Sequence, residues 1–281
     1  MFTSQSIPQF LSKWRTWKPQ CASPNCSSNT FFQAITRRNH GTKVNDQWYC
    51  QACLDQSVQA KILELMTSQG RPVRAHSSRI PLGLLLLQRG ILTAEQLRIA
   101  LDKHRLTELN FGDMVQQLGF ATGEQVTAAV AAQWACPVFC LGDRQLDLGV
   151  RIPHLFLEMY GMLPVHFVES ERRLLVAFVT GVQHQMLYTI GQMTSCTVAP
   201  CFITASEYES HLHAPSKSSL GDDELVFEQI IETAEMARIT SNYVGQLAAE
   251  RLRLGRCRDY LWARIWGNTR EMDLLFRVQS A

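Results

Sequence analysis

The sequence has no long apolar run, no large net charge and no recognisable leader. No stretch reaches the roughly 18 consecutive apolar residues that a membrane-spanning helix needs, because Leu82–Leu87 is short and a glycine interrupts it. The formal net charge of +2 gives no global electrostatic case for nucleic acid or an acidic membrane. The first residues lack the basic start, apolar centre and cleavage site of a secretory signal. We therefore expect a cytoplasmic protein with no membrane span.

Catalytic and nucleotide-binding motifs are also absent. The sequence contains no G-x-x-x-x-G-K-[ST], no G-x-S-x-G, no H-E-x-x-H and no G-x-G-x-x-G pattern. Its histidines follow no metal-ligand spacing, and its acidic residues are scattered over predicted polar faces. These absences predict that the protein is not an enzyme. Composition excludes disorder, because 46% of the 281 residues are hydrophobic and 19% are charged, which is typical of two or three small globular domains.

Cysteine, by contrast, is abundant. The chain has nine cysteines, and in the cytoplasm metal sites and free thiols are commoner than disulfides. Four of them form two pairs in a C-x4-C and C-x2-C pattern, a spacing at which thiolates can surround one tetrahedral zinc ion. The predicted metal ligands are Cys21, Cys26, Cys50 and Cys53. The other five lie among apolar residues, so we interpret most of them as buried thiols; they are Cys136, Cys140, Cys196, Cys201 and Cys257.

The residues around the two pairs indicate a zinc finger. Between the pairs we predict a hairpin whose turn, residues 37–41, joins strands Phe31–Ile35 and Val44–Tyr49. A helical pattern starts near Leu54, directly after the second pair. A knuckle, a hairpin and a C-x-x-C that opens a helix resemble a treble-clef finger, and the zinc is structural because four sulfurs leave no open position for catalysis. The alternatives are a thioredoxin-like redox pair in the C-x2-C motif and His40 as a substitute ligand.

An internal repeat of 29 residues lies within residues 79–140. The matched positions are Gly83 and Gly112, Gly90 and Gly119, Thr93 and Thr122, Gln96 and Gln125, Leu97 and Val126, and His104 and Gln133. Each unit predicts two short helices. The second helix begins at a threonine N-cap, and a glutamine three residues later completes a capping box. Two such helical pairs would pack on one another and bury a shared core.

The repeat and the segment after it resemble the MshEN domain, the N-terminal domain of type II secretion and type IV pilus assembly ATPases. The patterns are L-G-x-x-L-L-x-x-G-I-L-T-x-E-Q-L-x-x-A-L at residues 82–101 and F-G-x-M-V-x-x-L-G-x-x-T-x-E-Q-V-x-x-A-V at residues 111–130. The downstream segment predicts the αββαβα order of the family's second half. Its elements are a helix from Ile152-Pro153 to Tyr160, strands from Leu163 and at Arg173–Phe178, a helix near 183–193, strand Thr197–Ile203 and helix Ser206–His211.

The resemblance also implies a candidate ligand, since some members bind cyclic di-GMP through the two repeats. Each motif there begins with Arg-Leu-Gly and ends in Gln. This chain departs from the motif at Pro81 and Asn110, which occupy the arginine positions, and at His104, which occupies the first glutamine position. Arg79 lies two residues too early. If the repeats bind the dinucleotide, the candidate residues are Gly83, Gly90, Gly112, Gly119 and Gln133.

The carboxyl-terminal residues predict a helix followed by antiparallel strands. A polar linker at residues 214–221 precedes a long amphipathic helix from Asp222 to Ala249. The predicted strands are Arg251–Arg256, Tyr260–Trp266 and Met272–Val278. Four arginines in and beside the first of these strands (Arg251, Arg253, Arg256 and Arg258) would form either a basic face for a partner or an ordinary solvated sheet face.

The sequence therefore predicts an α+β, multidomain protein. We expect a small four-cysteine zinc finger with its following helix at residues 1–70, an MshEN-like domain at 71–213 and a helix with β-strands at 222–281. Within the MshEN-like domain, residues 79–140 form the helical repeats and 141–213 the α/β part. The resemblance implies a non-enzymatic bacterial adaptor or regulator with a partner in secretion or pilus machinery. The alternatives are a cyclic di-GMP sensor and a nucleic-acid-binding zinc-finger protein, and the modest charge argues against the last.

Overall fold

A computed structural model describes residues 20–26, 41–67, 79–142, 146, 149–213, 223–268 and 270–279. The predicted strand Phe31–Ile35, His40 and the linker at 214–221 lie outside the described residues. The helices are α1 (Leu54–Thr67), α2 (Leu82–Gln88), α3 (Ala94–His104), α4 (Phe111–Gln117), α5 (Gly123–Gln133), α6 (His154–Tyr160), α7 (His184–Thr194), α8 (Ala205–Leu212) and α9 (Thr233–Gln246). The strands are β1 (Gly41–Val44), β2 (Gln47–Cys50), β3 (Met162–Val168), β4 (Arg173–Phe178), β5 (Thr197–Phe202), β6 (Glu224–Phe227), β7 (Arg251–Cys257), β8 (Tyr260–Trp266) and β9 (Glu271–Arg277).

The repeat forms two helical pairs, α2 with α3 and α4 with α5, as predicted. Both capping boxes are present. In the first, the Gln96 backbone N–H donates to Thr93 Oγ1 at 3.2 Å, and the Thr93 N–H donates to Gln96 Oε1 at 2.9 Å. The second box has the same bonds between Thr122 and Gln125, at 3.3 and 2.9 Å. The local signals in the sequence therefore set where both second helices begin.

The two helical pairs meet at equivalent glycines, where a side chain would not fit. A Cβ at Gly83 would lie 2.7 Å from Leu97 Cδ1 and 3.2 Å from Phe111 Cζ. A Cβ at Gly112 would lie 2.9 Å from Val126 Cγ1 and 3.7 Å from Leu82 Cδ2. A shift of 29 residues exchanges one set of contacts for the other, as in a self-complementary interface. The repeat in the sequence is thus a symmetric packing unit.

We expect Gly83→Val to destabilise this unit by about 1–3 kcal/mol, because the added atoms overpack the contact with Leu97 and Phe111. Gly245→Ala in α9 is the matched control, since nothing lies within 4 Å of an added Cβ there. That control should gain about 0.5–1 kcal/mol from helix propensity. Urea unfolding of the full chain measures both values. Equal effects of the two substitutions would contradict close packing at Gly83.

The second half of the MshEN-like domain has the predicted αββαβα order, with α6, β3, β4, α7, β5 and α8 following one another along the chain. Its sheet has the order β3-β4-β5, with β3 antiparallel and β5 parallel to β4. One face packs on the helical repeats and α7 through residues such as Val176, Phe178 and Phe202. The fold class and the element order of this domain are therefore confirmed.

The predicted helix from Asp222 to Ala249 is wrong over its first part. Residues Glu224–Phe227 form β6, and the helix begins only at Thr233. Leu225 and Phe227 alternate with less buried neighbours and pair in parallel with β9, so a strand partner distant in sequence overrides the helical spacing. The Glu224 carboxylate also accepts bonds from the His154 and Leu155 N–H groups at 2.8 and 3.2 Å, which caps α6.

The finger hairpin and the C-terminal strands share one six-stranded sheet of order β2-β1-β7-β8-β9-β6. The prediction of a single strand at Val44–Tyr49 is wrong, because Asn45 and Asp46 form a tight turn with φ of 45° and 68°. Positive φ at both central residues is the geometry of a type I′ hairpin turn. The hairpin and these strands are predicted to lie in separate domains, whereas in the structure β1 pairs in parallel with β7. The domain bounds near residues 71 and 213 stay a prediction.

Both faces of this sheet are covered. One face packs on α1 and α9 through alternate residues of the long strands; among them are Leu252, Leu254, Leu261, Ala263, Ile265, Leu274 and Phe276. The other face joins the core of the MshEN-like domain through Cys257, Tyr260, Trp262 and Leu275. Double burial explains why β8 reads as an almost continuous apolar run, which is typical of a central strand.

Candidate metal centre and repeat surface

The structure brings the four predicted cysteines together. Their sulfur atoms all lie within 4.8 Å of one another, and Cys26 Sγ is 3.6 Å from Cys50 Sγ. A tetrahedral ion with metal–sulfur bonds of about 2.3 Å would separate its sulfurs by about 3.8 Å. The distances between the four sulfur atoms are therefore close to those of a four-sulfur metal site.

Backbone hydrogen bonds position both cysteine pairs. The Ala22 N–H donates to the Trp48 carbonyl at 2.8 Å, which holds the first pair against β2. The Cys50 N–H points at Cys21 Sγ, with the nitrogen 3.5 Å from the sulfur. The Cys53 N–H donates to the Cys50 carbonyl at 3.0 Å, just before α1 begins. An N–H aimed at a sulfur stabilises the thiolate, so the backbone as well as the sulfurs fits a metal ligand.

Burial opposes ionisation of these thiols when they stand alone. Burial and hydrogen bonds to neighbouring cysteines raise the pKa of Cys53 to about 12, and burial also raises the pKa of Cys21. The Cys21 and Cys53 thiols would therefore stay protonated at neutral pH without a cation. A divalent cation would stabilise all four thiolates and release their protons, which is the usual coupling in structural thiolate sites.

The predicted ligand glycines fall into two groups. Gly83 and Gly112 lie where the helical pairs meet, as described above. Gly90 and Gly119 have φ of 68° and 69°, and among the described residues no atom lies within 4 Å of an added Cβ. These two residues end the first helix of each repeat in the left-handed conformation that glycine favours. Turn geometry and packing thus account for all four glycines.

Gln133 and its repeat equivalent His104 bind backbone within the repeat. Gln133 Nε2 donates to the Ile80 carbonyl at 2.6 Å. His104 Nδ1 lies 2.8 Å from the Leu109 carbonyl oxygen. Ile80 and Leu109 are themselves 29 residues apart. The last residue of the first repeat therefore contacts the residue before the second repeat, and the last residue of the second contacts the residue before the first. The glutamine side chain is thereby used within the fold.

Arg79 stacks on the Trp134 ring and does not occupy an arginine position of the family's Arg-Leu-Gly motif. Its guanidinium carbon lies 3.2 Å from the centroid of the Trp134 ring. The family's arginine positions hold Pro81 and Asn110, which are the N-caps of α2 and α4 and make no side-chain cap bond. The structure therefore brings Arg79 and Gln133 to the same end of the repeats, one on Trp134 and the other on Ile80.

The interpretation of the C-terminal arginines as an exposed face is wrong for three of them. Arg251 stacks on Trp266, with 3.7 Å from its guanidinium carbon to the ring centroid. Arg256 Nη1 donates to the Met66 carbonyl at 3.0 Å, at the end of α1. Arg253 likewise contacts the end of α7. Backbone carbonyls at helix ends are good partners for guanidinium groups, and alternation along a strand does not reveal them.

Sequence reasoning also missed a buried ion pair. Arg264 and Asp273 face each other on β8 and β9 and are 3% and 1% exposed. Arg264 Nε and Nη2 donate to the two carboxylate oxygens at 2.8 and 2.7 Å, and Trp262 Nε1 donates to Oδ1 at 2.7 Å. The signal in the sequence was the pair of charges within two otherwise apolar strands.

The fold and the site together define a protein with an MshEN-like domain and a four-cysteine centre built into a second sheet. Among solved structures, the chain is similar to MshE with cdg, at a TM-score of 0.41 and 21% identity over 48% of this chain and 97% of that chain. Two crystal forms of the N-terminal domain of XpsE have TM-scores of 0.37 and 0.29 at 16% and 18% identity. These matches cover 47% and 45% of this chain and 90% and 88% of theirs. No protein-family model and no curated protein matches the chain.

No helix in the described part of the chain is long and apolar enough to cross a membrane.

Proposed function

We propose that the chain is a non-enzymatic adaptor or regulatory protein of bacterial secretion or pilus machinery, stabilised by a structural zinc ion and acting in the cytoplasm. The observation that carries this proposal is the convergence of four sulfurs on one point at the edge of a sheet that also packs on the MshEN-like domain. A closed four-sulfur site has a structural role, because it leaves no position for substrate or water.

Zinc is the metal that this donor set favours. Four thiolates from a knuckle and a C-x2-C motif are typical ligands of tetrahedral zinc, and soft sulfur donors disfavour magnesium and calcium. Metal analysis of the purified full chain tests the assignment. We expect one zinc per chain and its loss in Cys26→Ser, whereas Cys140→Ser should keep it because Cys140 is exposed and lies outside the cluster. Zinc that survives in Cys26→Ser would contradict the site.

A protein partner is supported by apolar side chains that the repeats leave in solvent. Several large ones lie in the first repeat and the segment that joins it to the second; they are Ile80, Leu84, Leu101, Leu106 and Leu109. Leu106 is 85% exposed. All five lie within residues 80–109, and several large apolar side chains left in solvent over one such stretch support an interaction surface.

Affinity purification from the native cells tests the adaptor role. We expect the full chain to recover a component of the secretion or pilus machinery, and the double variant Leu84→Asp, Leu106→Asp to lose most of it. Leu63→Asp is the matched control, because Leu63 is an exposed leucine on α1, outside the repeats. Recovery of no secretion or pilus protein, or equal loss in the control, would count against this role.

Cyclic di-GMP is the weaker candidate, because Gln133 already bonds to Ile80 and the motif arginines are replaced. We expect calorimetric titration with the dinucleotide at high micromolar concentration to show no binding heat. Heat that disappears in Gln133→Ala would overturn this expectation and establish a sensor. Nucleic-acid binding is weaker still, since three of the four strand arginines are engaged within the fold.

A further inference from the structure

One arginine connects the turn of the cysteine-bearing hairpin to a helix of the MshEN-like domain. Arg253 Nη2 donates to Oδ1 and Oδ2 of Asp46 at 3.2 and 3.1 Å. Its Nη1 donates to the carbonyl oxygens of Gln192 and Met193 at 2.7 and 3.3 Å. Asp46 lies in the hairpin turn, and the two carbonyls belong to the last turn of α7. The Arg253 side chain is only 12% exposed.

The Arg253 contact provides hydrogen-bond donors for carbonyl groups at the C-terminal end of α7. The last four carbonyls of a helix have no partner within it, and a cation there also interacts favourably with the helix dipole. Arg172 serves the same end of α7, donating to the carbonyls of Thr194 and Ser195 at 3.3 and 3.0 Å. Arg172 belongs to the MshEN-like domain itself, however, whereas Arg253 also holds the hairpin.

The hairpin in turn sets the position of Asp46. The Asn45 side chain accepts from the Leu254 N–H at 2.8 Å and donates to the Leu254 carbonyl at 3.2 Å. The Asn45 N–H donates to the Leu252 carbonyl at 3.0 Å. At the opposite end of β2, Cys50 belongs to the sulfur cluster. The cluster and the Asp46 carboxylate are thus the two ends of one short strand.

We propose that Arg253 couples occupancy of the four-cysteine centre to the order of the C-terminal turn of α7. This inference rests on the proposed metal site. Cys50 would be fixed by an ion at one end of β2, the Asn45 bonds to β7 hold the turn at the other end, and Asp46 in that turn orients the guanidinium that caps α7. The same turn forms one wall of a surface groove of about 290 Å³ lined by Leu187, Tyr188, Gly191, Gln192, Cys196 and Val198. The metal therefore controls the shape of a surface on the MshEN-like domain.

Asp46→Gly separates the two ends of this connection without damaging the hairpin. The substitution removes the carboxylate and creates Asn-Gly, the preferred sequence of a type I′ turn. Hydrogen exchange of the full chain, loaded with Zn²⁺ or treated with a chelator, follows α7 directly. In the wild-type chain we expect residues 184–196 to exchange roughly threefold faster after metal removal, because Asp46 is 71% exposed and a solvated ion pair with Arg253 is weak. In Asp46→Gly these residues should exchange at the faster rate with or without metal.

Arg172→Ala is the matched control. It weakens the same helix end but leaves the hairpin contact, so its exchange should be faster in both states and should keep the metal-dependent difference. The central strand β8 should stay protected throughout. The proposal is overturned if α7 is indifferent to metal, if Asp46→Gly still responds, or if β8 loses protection together with α7. A purified chain that takes up no Zn²⁺ would overturn the metal site itself, and metal analysis of each sample separates that failure from the others.

Discussion

Cys26→Ser is expected to open the finger and its hairpin while the central sheet stays folded. Structural zinc contributes on the order of 10 kcal/mol to the folding of isolated fingers at neutral pH, and the four sulfurs here hold the knuckle against β2. β1 keeps its ladder to β7, but β2 is a four-residue edge strand whose other support is the knuckle. Residues 41–53 should therefore exchange their amide hydrogens faster, with the largest change at residues 47–53.

The central sheet should keep its protection in this variant, because β8 is buried on both faces by packing that the metal does not touch. Hydrogen exchange combined with metal analysis measures both effects. Cys140→Ser, at an exposed thiol away from the cluster, should match the wild-type chain. If residues 41–53 in Cys26→Ser remain as protected as in the wild-type chain, the centre has no role in folding.

Asp273→Ala is expected to lower the free energy of unfolding by about 3–5 kcal/mol, because it leaves the Arg264 guanidinium buried without its counter-charge. Trp262 also loses the acceptor of its indole N–H. Glu95→Ala is the matched control, since Glu95 forms an ion pair with Arg98 on the exposed face of α3. Exposed pairs contribute little to stability, so the loss in this control should be far smaller. Urea unfolding of both variants gives the comparison.

The double variant Arg264→Met, Asp273→Leu tests the cause of that loss. Apolar side chains of similar volume often replace a buried ion pair at little cost or with a gain. We therefore expect the double variant to be more stable than Asp273→Ala alone. If Asp273→Ala costs no more than Glu95→Ala, or if the double variant is the least stable of all, the buried charge is not the source of the effect.

Features with local causes were predictable from the sequence. The two capping boxes depend on residues three positions apart, and the glycines that end α2 and α4 need only their own positive φ. The spacing of four cysteines identified the cluster, although the hairpin turn was placed outside Asn45 and Asp46. The αββαβα order was predicted through the resemblance to the MshEN domain, and the structure has it.

Features that depend on distant partners were not predictable. Glu224–Phe227 forms a strand because it pairs with β9, which is distant along the chain. No local sequence pattern identifies that pairing partner. The strand arginines were interpreted as a solvated face because alternation along a strand assigns each residue to one face of the sheet. It does not show which residues pack on that face.

The sequence by itself determined the repeat, its caps and the four thiols, since each depends on residue type and short spacing. Only the tertiary structure decided that the hairpin that carries Cys50 joins the C-terminal sheet, that Gly83 and Gly112 pack where the repeats meet, and that Arg253 connects Asp46 to α7. The physical reason is the same in all three cases. Sheet edges, close-packed glycines and helix-end carbonyls acquire their partners only when segments distant in sequence pack together. The spacing of residues along the chain does not show which segments will pack.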